Sequence, residues 1–199
     1  MDKTVKSDIA PFCFHYPAGA TIVTSHTHGR DNAMAVAWHT AVSREPPLYT
    51  VSISPRRFTH GLIVESGEFV VNFMPYENGE LVALVAGCSG REVDKFLSFQ
   101  ITASPGSRVK APVLGDAFAA YECRVVGRHS YGDHDLFVGE IQAVHWKESA
   151  FTPDGRLDLE QVDPIVYYGA DRYSTTARLV HLDAKALARE SLERAPEDS

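Results

Sequence analysis

Two long strand-like runs in the second half of the chain constrain its fold most. They span residues 118–128 and 135–147, and Gly132-Asp133-His134 between them has the composition of a hairpin turn. Shorter strand-like runs lie between turn residues elsewhere in the chain, at 20–25, 34–38, 48–54, 69–73 and 166–169. Many strands at such short spacing predict a β-barrel, in which the last run closes the sheet. The pattern alone does not separate this barrel from other closed β folds.

Helical segments lie between the predicted strands. Thr59 and Asn78 can each begin a helix, and the glycines at 67 and 87 can end them. A short helical turn follows near Gly90, and residues 183–193 have a mildly amphipathic helical pattern. We therefore predict a mostly antiparallel β-barrel with peripheral helices.

Length and composition bound the class of protein. A chain of 199 residues fits one domain, which we place at 1–182, followed by a C-terminal helix and polar tail at 183–199. The net charge of −7 disfavours non-specific attraction to nucleic acid or anionic lipid. No run of 18 apolar residues occurs, the first residues lack the apolar core of a secretory signal, and three cysteines are too few for a disulfide framework. These features predict a cytoplasmic protein with free thiols.

General catalytic motifs are missing from the sequence. It contains no glycine-rich nucleotide loop, no metalloprotease motif and no nucleophile elbow. His26 and His28 have no cysteine or carboxylate partner at zinc-like spacing, so we interpret them as part of a polar turn and predict no metal site. Cys88 has no nearby second cysteine, and we interpret it as an inert thiol.

One segment has the residue types of an anion site. Ser52 and Ser54 point to the same face of a predicted strand, because strand side chains alternate. Arg57 follows at the turn, and Thr59 stands at a predicted helix start, where free N–H groups favour an anion. On composition alone, a solvated strand end followed by a helix cap is the favoured interpretation. Arg56 competes with Arg57 for the cationic role.

The same region resembles a known family. Residues 32–39, 48–59 and 67–73 resemble the flavin-binding segment of the flavin reductase-like proteins, the FMN-binding split barrels that include the flavoredoxins. Gly-Asp-His at the start of 132–140 is similar to a second segment of that family, and Asp-Lys-Phe at 94–96 is a weaker match. The resemblance covers roughly residues 15–175, and it implies a split barrel with Greek-key-like strand connections.

The resemblance also implies a cofactor and its ligands. It favours FMN over FAD, with Arg57 and Thr59 anchoring the phosphate beside two serines, and 32–35 running along the ring. His39 departs from the family pattern, so that it either contacts the ring or fills the sheet. Lys95 reaches phosphate or substrate unless it is a solvated helix lysine. The predicted cofactor-binding residues are Asn32, Ala33, Met34, Ala35, His39, Ser52, Ser54, Arg57, Thr59 and Lys95.

The implied activity is hydride transfer from NADH or NADPH to the flavin. His134 is the predicted catalytic residue beside the nicotinamide, because imidazole can donate to a carboxamide; a turn histidine that caps the hairpin is the alternative. We interpret Trp38 as a core residue, and the tyrosines at 167, 168 and 173 as structural. The family implies a homodimer, and a monooxygenase or electron-acceptor protein as partner. An electron-transfer flavoprotein and a non-enzymatic flavin-binding protein are the rival functions.

Overall fold

The computed structural model describes residues 4, 5, 7 and 16–176, and the elements below lie within that part of the chain. The strands are β1 (Ala18–Gly19), β2 (Thr21–Thr27), β3 (Arg30–Val36), β4 (His39–Arg44), β5 (Pro47–Ile53), β6 (Glu68–Phe73), β7 (Ala103–Ser104), β8 (Val113–Leu114), β9 (Ala119–Tyr131), β10 (His134–Trp146), β11 (Val166–Tyr167) and β12 (Tyr173–Ser174). The helices are α1 (Phe58–Ser66), α2 (Gly79–Gly87) and α3 (Lys95–Ser98). Among the described residues, none of these helices has the length and apolar content needed to cross a bilayer.

The main sheet is curled into a barrel. Its seven strands are all antiparallel, in the order β3-β2-β6-β9-β10-β5-β4. β3 and β4 lie at opposite edges of this order, yet only Ala37 and Trp38 separate them in sequence. Since three peptide units reach about 10 Å at full extension, the two edges must come together. The backbone N–H of Ser52 donates to the Trp38 carbonyl at 2.9 Å, which ties this crossing to β5. The predicted barrel is confirmed.

The predicted long hairpin is also confirmed. β9 and β10 pair over their whole length, and Gly132-Asp133 form the two-residue loop, with Gly132 at φ +62°. Two register shifts, one beside Gly139, bend the hairpin around the barrel. A side chain at Gly139 would lie 2.7 Å from both Cys123 and the ring of Phe69. The glycine therefore allows Phe69 to pack against the strand pair.

Two strand predictions need correction. The run at 166–169 does not close the barrel, because β11 pairs with β1 and β12 in a separate three-stranded sheet. β4 was not predicted at all; it is a half-solvated edge strand whose central valine, Val42, is 51% exposed. An edge strand of this kind lacks the apolar alternation by which a strand is recognised.

Two apolar layers meet at β2. Ile22 and Val23 are adjacent on this strand and both fully buried, because they point to opposite faces. Val23 packs inside the barrel with Phe69 and Phe137, whereas Ile22 packs outside it against the layer that contains α2. The barrel wall beside α2 is thus covered on both faces.

The observed helix ends agree in part with those predicted from the sequence. Gly67 closes α1 in the left-handed conformation at φ +71°, and its N–H donates to the Ile63 carbonyl at 2.9 Å. Asn78 precedes α2 as predicted, but its side chain makes no capping hydrogen bond. Asp94 caps the short α3 by accepting from the Leu97 N–H at 3.1 Å. The helix predicted at 183–193 lies outside the described residues.

Candidate flavin site

A cleft of about 220 Å³ opens where the barrel edge, α2 and the small sheet meet. Six of the predicted site residues line it together: Met34, Ala35, Ser52, Ser54, Arg57 and His134. The rest of the wall comes from Ala20, Val36, Ala37, Trp38, Val82, Ala86, Tyr167, Asp171 and Tyr173. Residues about 140 positions apart in sequence therefore share one concave surface, which is the usual form of a small-molecule site.

One part of the cleft wall has the groups of an anion site. Ser52 lies near the end of β5 and Ser54 directly follows that strand, and the Arg57 N–H donates to the Ser54 carbonyl at 2.9 Å to form the turn into α1. Arg57 is the N-cap residue of α1, so the free N–H groups of the first helical turn start beside its side chain. Among the described residues, no carboxylate lies within 4.0 Å of the Arg57 guanidinium. An unpaired guanidinium, two hydroxyls and a helix start are suited to a phosphate.

Another part of the cleft wall is apolar. Ala35 and Ala37 from β3 and the residue after it, and Val82 and Ala86 from α2, contribute to it, and Ala35 packs against the buried cluster that contains Val82. The rings of Tyr167 and Tyr173 lie 5.1 Å apart on the small sheet. Burial, with Tyr167 and Asp171 close by, raises the pKa of Tyr173, so its hydroxyl stays protonated and can donate. Such walls fit a planar heteroaromatic ring with polar edges.

Asn32 and Thr59 lie behind this surface. Both are buried, and the Asn32 side-chain N–H donates to the Thr59 hydroxyl oxygen at 2.8 Å. Gly90 packs against Asn32 and Phe58: a Cβ there would lie 2.0 Å from the Asn32 side-chain oxygen and 2.7 Å from Phe58. The structure thus places these two residues as a support for the start of α1, and their contact with a cofactor stays a prediction.

Lys95 is not a solvated helix lysine. Its side chain is 4% exposed, and Nζ donates to the carbonyls of Ala33 at 2.8 Å and Val85 at 2.7 Å. Val85 lies in the last turn of α2, where a cation complements the helix dipole. Burial lowers the pKa of Lys95. Lys95 therefore holds α2 and α3 against β3 beside the cleft, and Ala33 is buried behind the wall.

His39 lies outside the cleft. Its ring nitrogens hydrogen-bond the Tyr49 hydroxyl at 2.7 Å and the Gly19 carbonyl at 2.9 Å. Burial lowers the pKa of His39, and the bond to Gly19 partly offsets that effect. Of the two interpretations from sequence, this placement favours the one in which His39 fills the sheet and fastens β1 to β4.

His134 and Trp38 lie on the cleft wall beside the two serines, because Asp135 pairs with Ile53 and the Ser52 N–H donates to the Trp38 carbonyl. Nδ1 of His134 lies 2.8 Å from the Asp133 carboxylate, and its ring centroid lies 4.8 Å from that of Trp38. The bond from His134 lowers the pKa of Asp133, and the ionised carboxylate accepts the hydrogen bond from Nδ1. The prediction that Trp38 is a core residue is wrong, because it is 37% exposed and lines the cleft.

Sequence reasoning missed part of this wall. Val82 and Ala86 have the pattern of any buried helix face, and Asp171 lies in an irregular turn. Tyr167 and Tyr173 were predicted to be structural, although they line the cleft. The one indication available from the sequence was that these tyrosines cluster in the last segment that resembles the family.

Comparison with known proteins agrees with this geometry. The family described as Flavin reductase like domain matches residues 13–177. A crystal structure of an FMN-binding protein from Thermus thermophilus with bound 1-cyclohex-2-enone is 35% identical, with a TM-score of 0.81 over 92% of this chain and 99% of that one. The flavoredoxin of Methanosarcina acetivorans is 28% identical, with a TM-score of 0.85 over 96% and 100% of the two chains.

A curated relative gives the same assignment from sequence. The NADH-dependent FMN reductase AsuE2 of Streptomyces nodosus subsp. asukaensis is 31% identical over 140 residues, which are 69% of this chain and 73% of the relative. The family match at 13–177 includes all seven strands of the barrel. The chain belongs to the flavin reductase-like family of split-barrel proteins.

Proposed function

We propose that the protein binds FMN in the cleft and acts as an NAD(P)H-dependent flavin reductase. The observation that supports this most strongly is one concave surface that combines Arg57, a helix start, apolar walls and His134. Within the described part of the chain, no carboxylate lies within 4.0 Å of the Arg57 guanidinium. The bound FMN would supply the chemistry, by accepting a hydride from the nicotinamide. The protein's own contribution is binding and orientation.

Each group in the cleft has a role in this proposal. Arg57, Ser52 and Ser54 hold the phosphate, and the β3 segment with α2 holds the ring. Because Nδ1–H of His134 donates to Asp133, Nε2 of that tautomer can accept a hydrogen bond from the carboxamide N–H of the nicotinamide. Trp38 fixes the plane of that imidazole by ring contact.

The FMN-loaded protein should be reduced by NADH or NADPH under anaerobic conditions. We expect the flavin absorbance to bleach in rapid mixing, and His134→Gln to slow that step about tenfold or more while FMN affinity stays unchanged. His129→Gln is the matched control, because His129 is an exposed imidazole on the neighbouring strand β9. Flavin that stays oxidised with both nucleotides would rule out the reductase function.

An electron-transfer role is the second candidate, and the structural likeness to a flavoredoxin favours it. Steady-state oxidation of NADH or NADPH with added free FMN separates the two. A reductase turns over added free FMN, and its reduced flavin can serve a separate monooxygenase. An electron-transfer protein retains its flavin and turns over free FMN slowly.

We extend the proposal to a homodimer. The cleft volume of about 220 Å³ falls below the roughly 300–1,000 Å³ typical of small-molecule sites, so one chain encloses a flavin incompletely. On β10, Val144 and Trp146 point to the same face and are 47% and 58% exposed, as expected of a surface that a second copy covers. Light scattering during size-exclusion chromatography should give twice the 21.9 kDa chain mass; a monomer at micromolar concentration would contradict this extension.

A further inference from the structure

Four arginines surround the first turn of α1, and we refer to them as the arginine patch: Arg30, Arg56, Arg57 and Arg91. Arg30 begins β3, Arg91 lies in the loop between α2 and α3, and the other two precede α1. Only Arg57 of the four lines the flavin cleft. The other three arginines of the patch therefore lie outside the cleft, beyond the phosphate position proposed at Arg57.

The patch is organised around Phe58. The guanidinium carbons of Arg30 and Arg91 lie 5.4 Å and 5.8 Å from the centroid of this ring, within cation–π range. Arg30 also donates to the Gly90 carbonyl at 2.5 Å, and Arg91 donates to the Arg56 carbonyl at 3.2 Å. Each guanidinium has five N–H donors, so most of them remain available to a ligand.

The patch lacks a counter-charge within the described residues. No carboxylate there lies within 4.0 Å of the four guanidiniums. Of the nearby acids, Asp31 pairs with His26 and Asp94 caps α3. The pKa of Asp133 is lowered mainly by its hydrogen bond with His134, and the charge of Arg56 adds a smaller electrostatic contribution. Four repelling cations in a chain of net charge −7 are most readily explained by an external anion.

We propose that Arg30 and Arg91 bind a second phosphate, as part of the pyrophosphate of a dinucleotide, either FAD or NAD(P)H. This inference rests on the proposed function, because it takes Arg57 as the site of the flavin's own phosphate. FMN has one phosphate, which Arg57 and the two serines serve inside the cleft. The second phosphate of FAD shares an oxygen with the first and would lie next to it, towards the rest of the patch. Arginine suits this role because its fork binds two phosphate oxygens at once.

The test compares FMN, FAD and ADP-ribose, each titrated against the apo-protein. The variant is Arg30→Gln with Arg91→Gln, and the control is Arg124→Gln, an exposed arginine on β9 whose partner Glu68 follows the far end of α1. We expect the variant to bind FAD about tenfold more weakly and FMN within twofold of wild type. If ADP-ribose binding weakens and FAD binding does not, the pyrophosphate belongs to NAD(P)H.

Two results would overturn the inference. One is an equal loss of FMN and FAD affinity, which would make the patch part of the first phosphate site. The other is unchanged affinity for all three probes. Should the double variant not fold, the single Arg30→Gln and Arg91→Gln variants give the same readings. If wild-type protein binds neither FMN nor FAD, the proposed function is refuted. The affinity for ADP-ribose would still show whether the arginine patch binds a pyrophosphate.

Discussion

Arg57→Ala is expected to weaken FMN binding about 10- to 100-fold while leaving the fold intact. Its guanidinium is the cation that lines the cleft, and a charge-assisted hydrogen bond contributes about 1.5–3 kcal/mol. The side chain is exposed, and the backbone N–H that bonds Ser54 is kept in the variant. Flavin fluorescence titration measures the affinity, and thermal unfolding checks the fold.

Arg56→Ala is the matched comparison for that variant. Arg56 is adjacent and equally charged, but it does not line the cleft, so its removal should cost less than removal of Arg57. This comparison also decides between the two arginines that the sequence left as competitors. Equal affinities in wild type and Arg57→Ala would remove the phosphate assignment.

Glu122→Ala is expected to destabilise the protein by about 3–5 kcal/mol, the largest effect on stability that we predict. The carboxylate is fully buried, and one oxygen accepts from Ser107 N and from its hydroxyl at 2.8 Å and 2.7 Å. The other accepts from the N–H groups of Arg108 and Val109 at 2.6 Å and 2.9 Å. Removing the side chain leaves these donors without their acceptor and frees the loop at 105–112. Urea unfolding measures the loss, with exposed Glu45→Ala as control.

The same carboxylate gives stability a defined pH dependence. Burial alone would raise the pKa of Glu122, but hydrogen bonds from His145, Ser107 and Arg108 outweigh burial and lower it to about 2. A depressed folded-state pKa stabilises the protein above the unfolded-state pKa of about 4.3, and that contribution is lost as the pH falls towards 2. Wild-type stability should therefore fall more steeply than that of Glu122→Gln between pH 4.3 and 2. Parallel curves would contradict the assignment.

Local patterns predicted much of the fold because local forces decide those elements. The β9–β10 hairpin follows from two β-rich runs around Gly132, and the end of α1 follows from a glycine that can adopt positive φ. β4 and β11 were missed or misplaced because an edge strand and a two-residue strand are fixed by tertiary pairing. Strand order is likewise set by contacts between residues far apart in sequence, and hydrophobic periodicity does not indicate which strands pair.

The site was predictable where neighbouring residues act together. Ser52, Ser54 and Arg57 lie within six positions, so strand alternation and a helix start place them on one surface. The sequence could not show that Lys95 turns inward, because its acceptors belong to β3 and α2. Nor could it show that Tyr173 reaches the cleft from the small sheet. Both placements depend on how separate elements pack.

Direct titration of the purified apo-protein with FMN tests the central claim most directly. Flavin fluorescence should reach an endpoint at one FMN per chain, and chromatography of the released chromophore should return FMN. Protein that leaves the fluorescence of added FMN and FAD unchanged, while folded by circular dichroism, would contradict the account, because the cleft would then serve some other ligand.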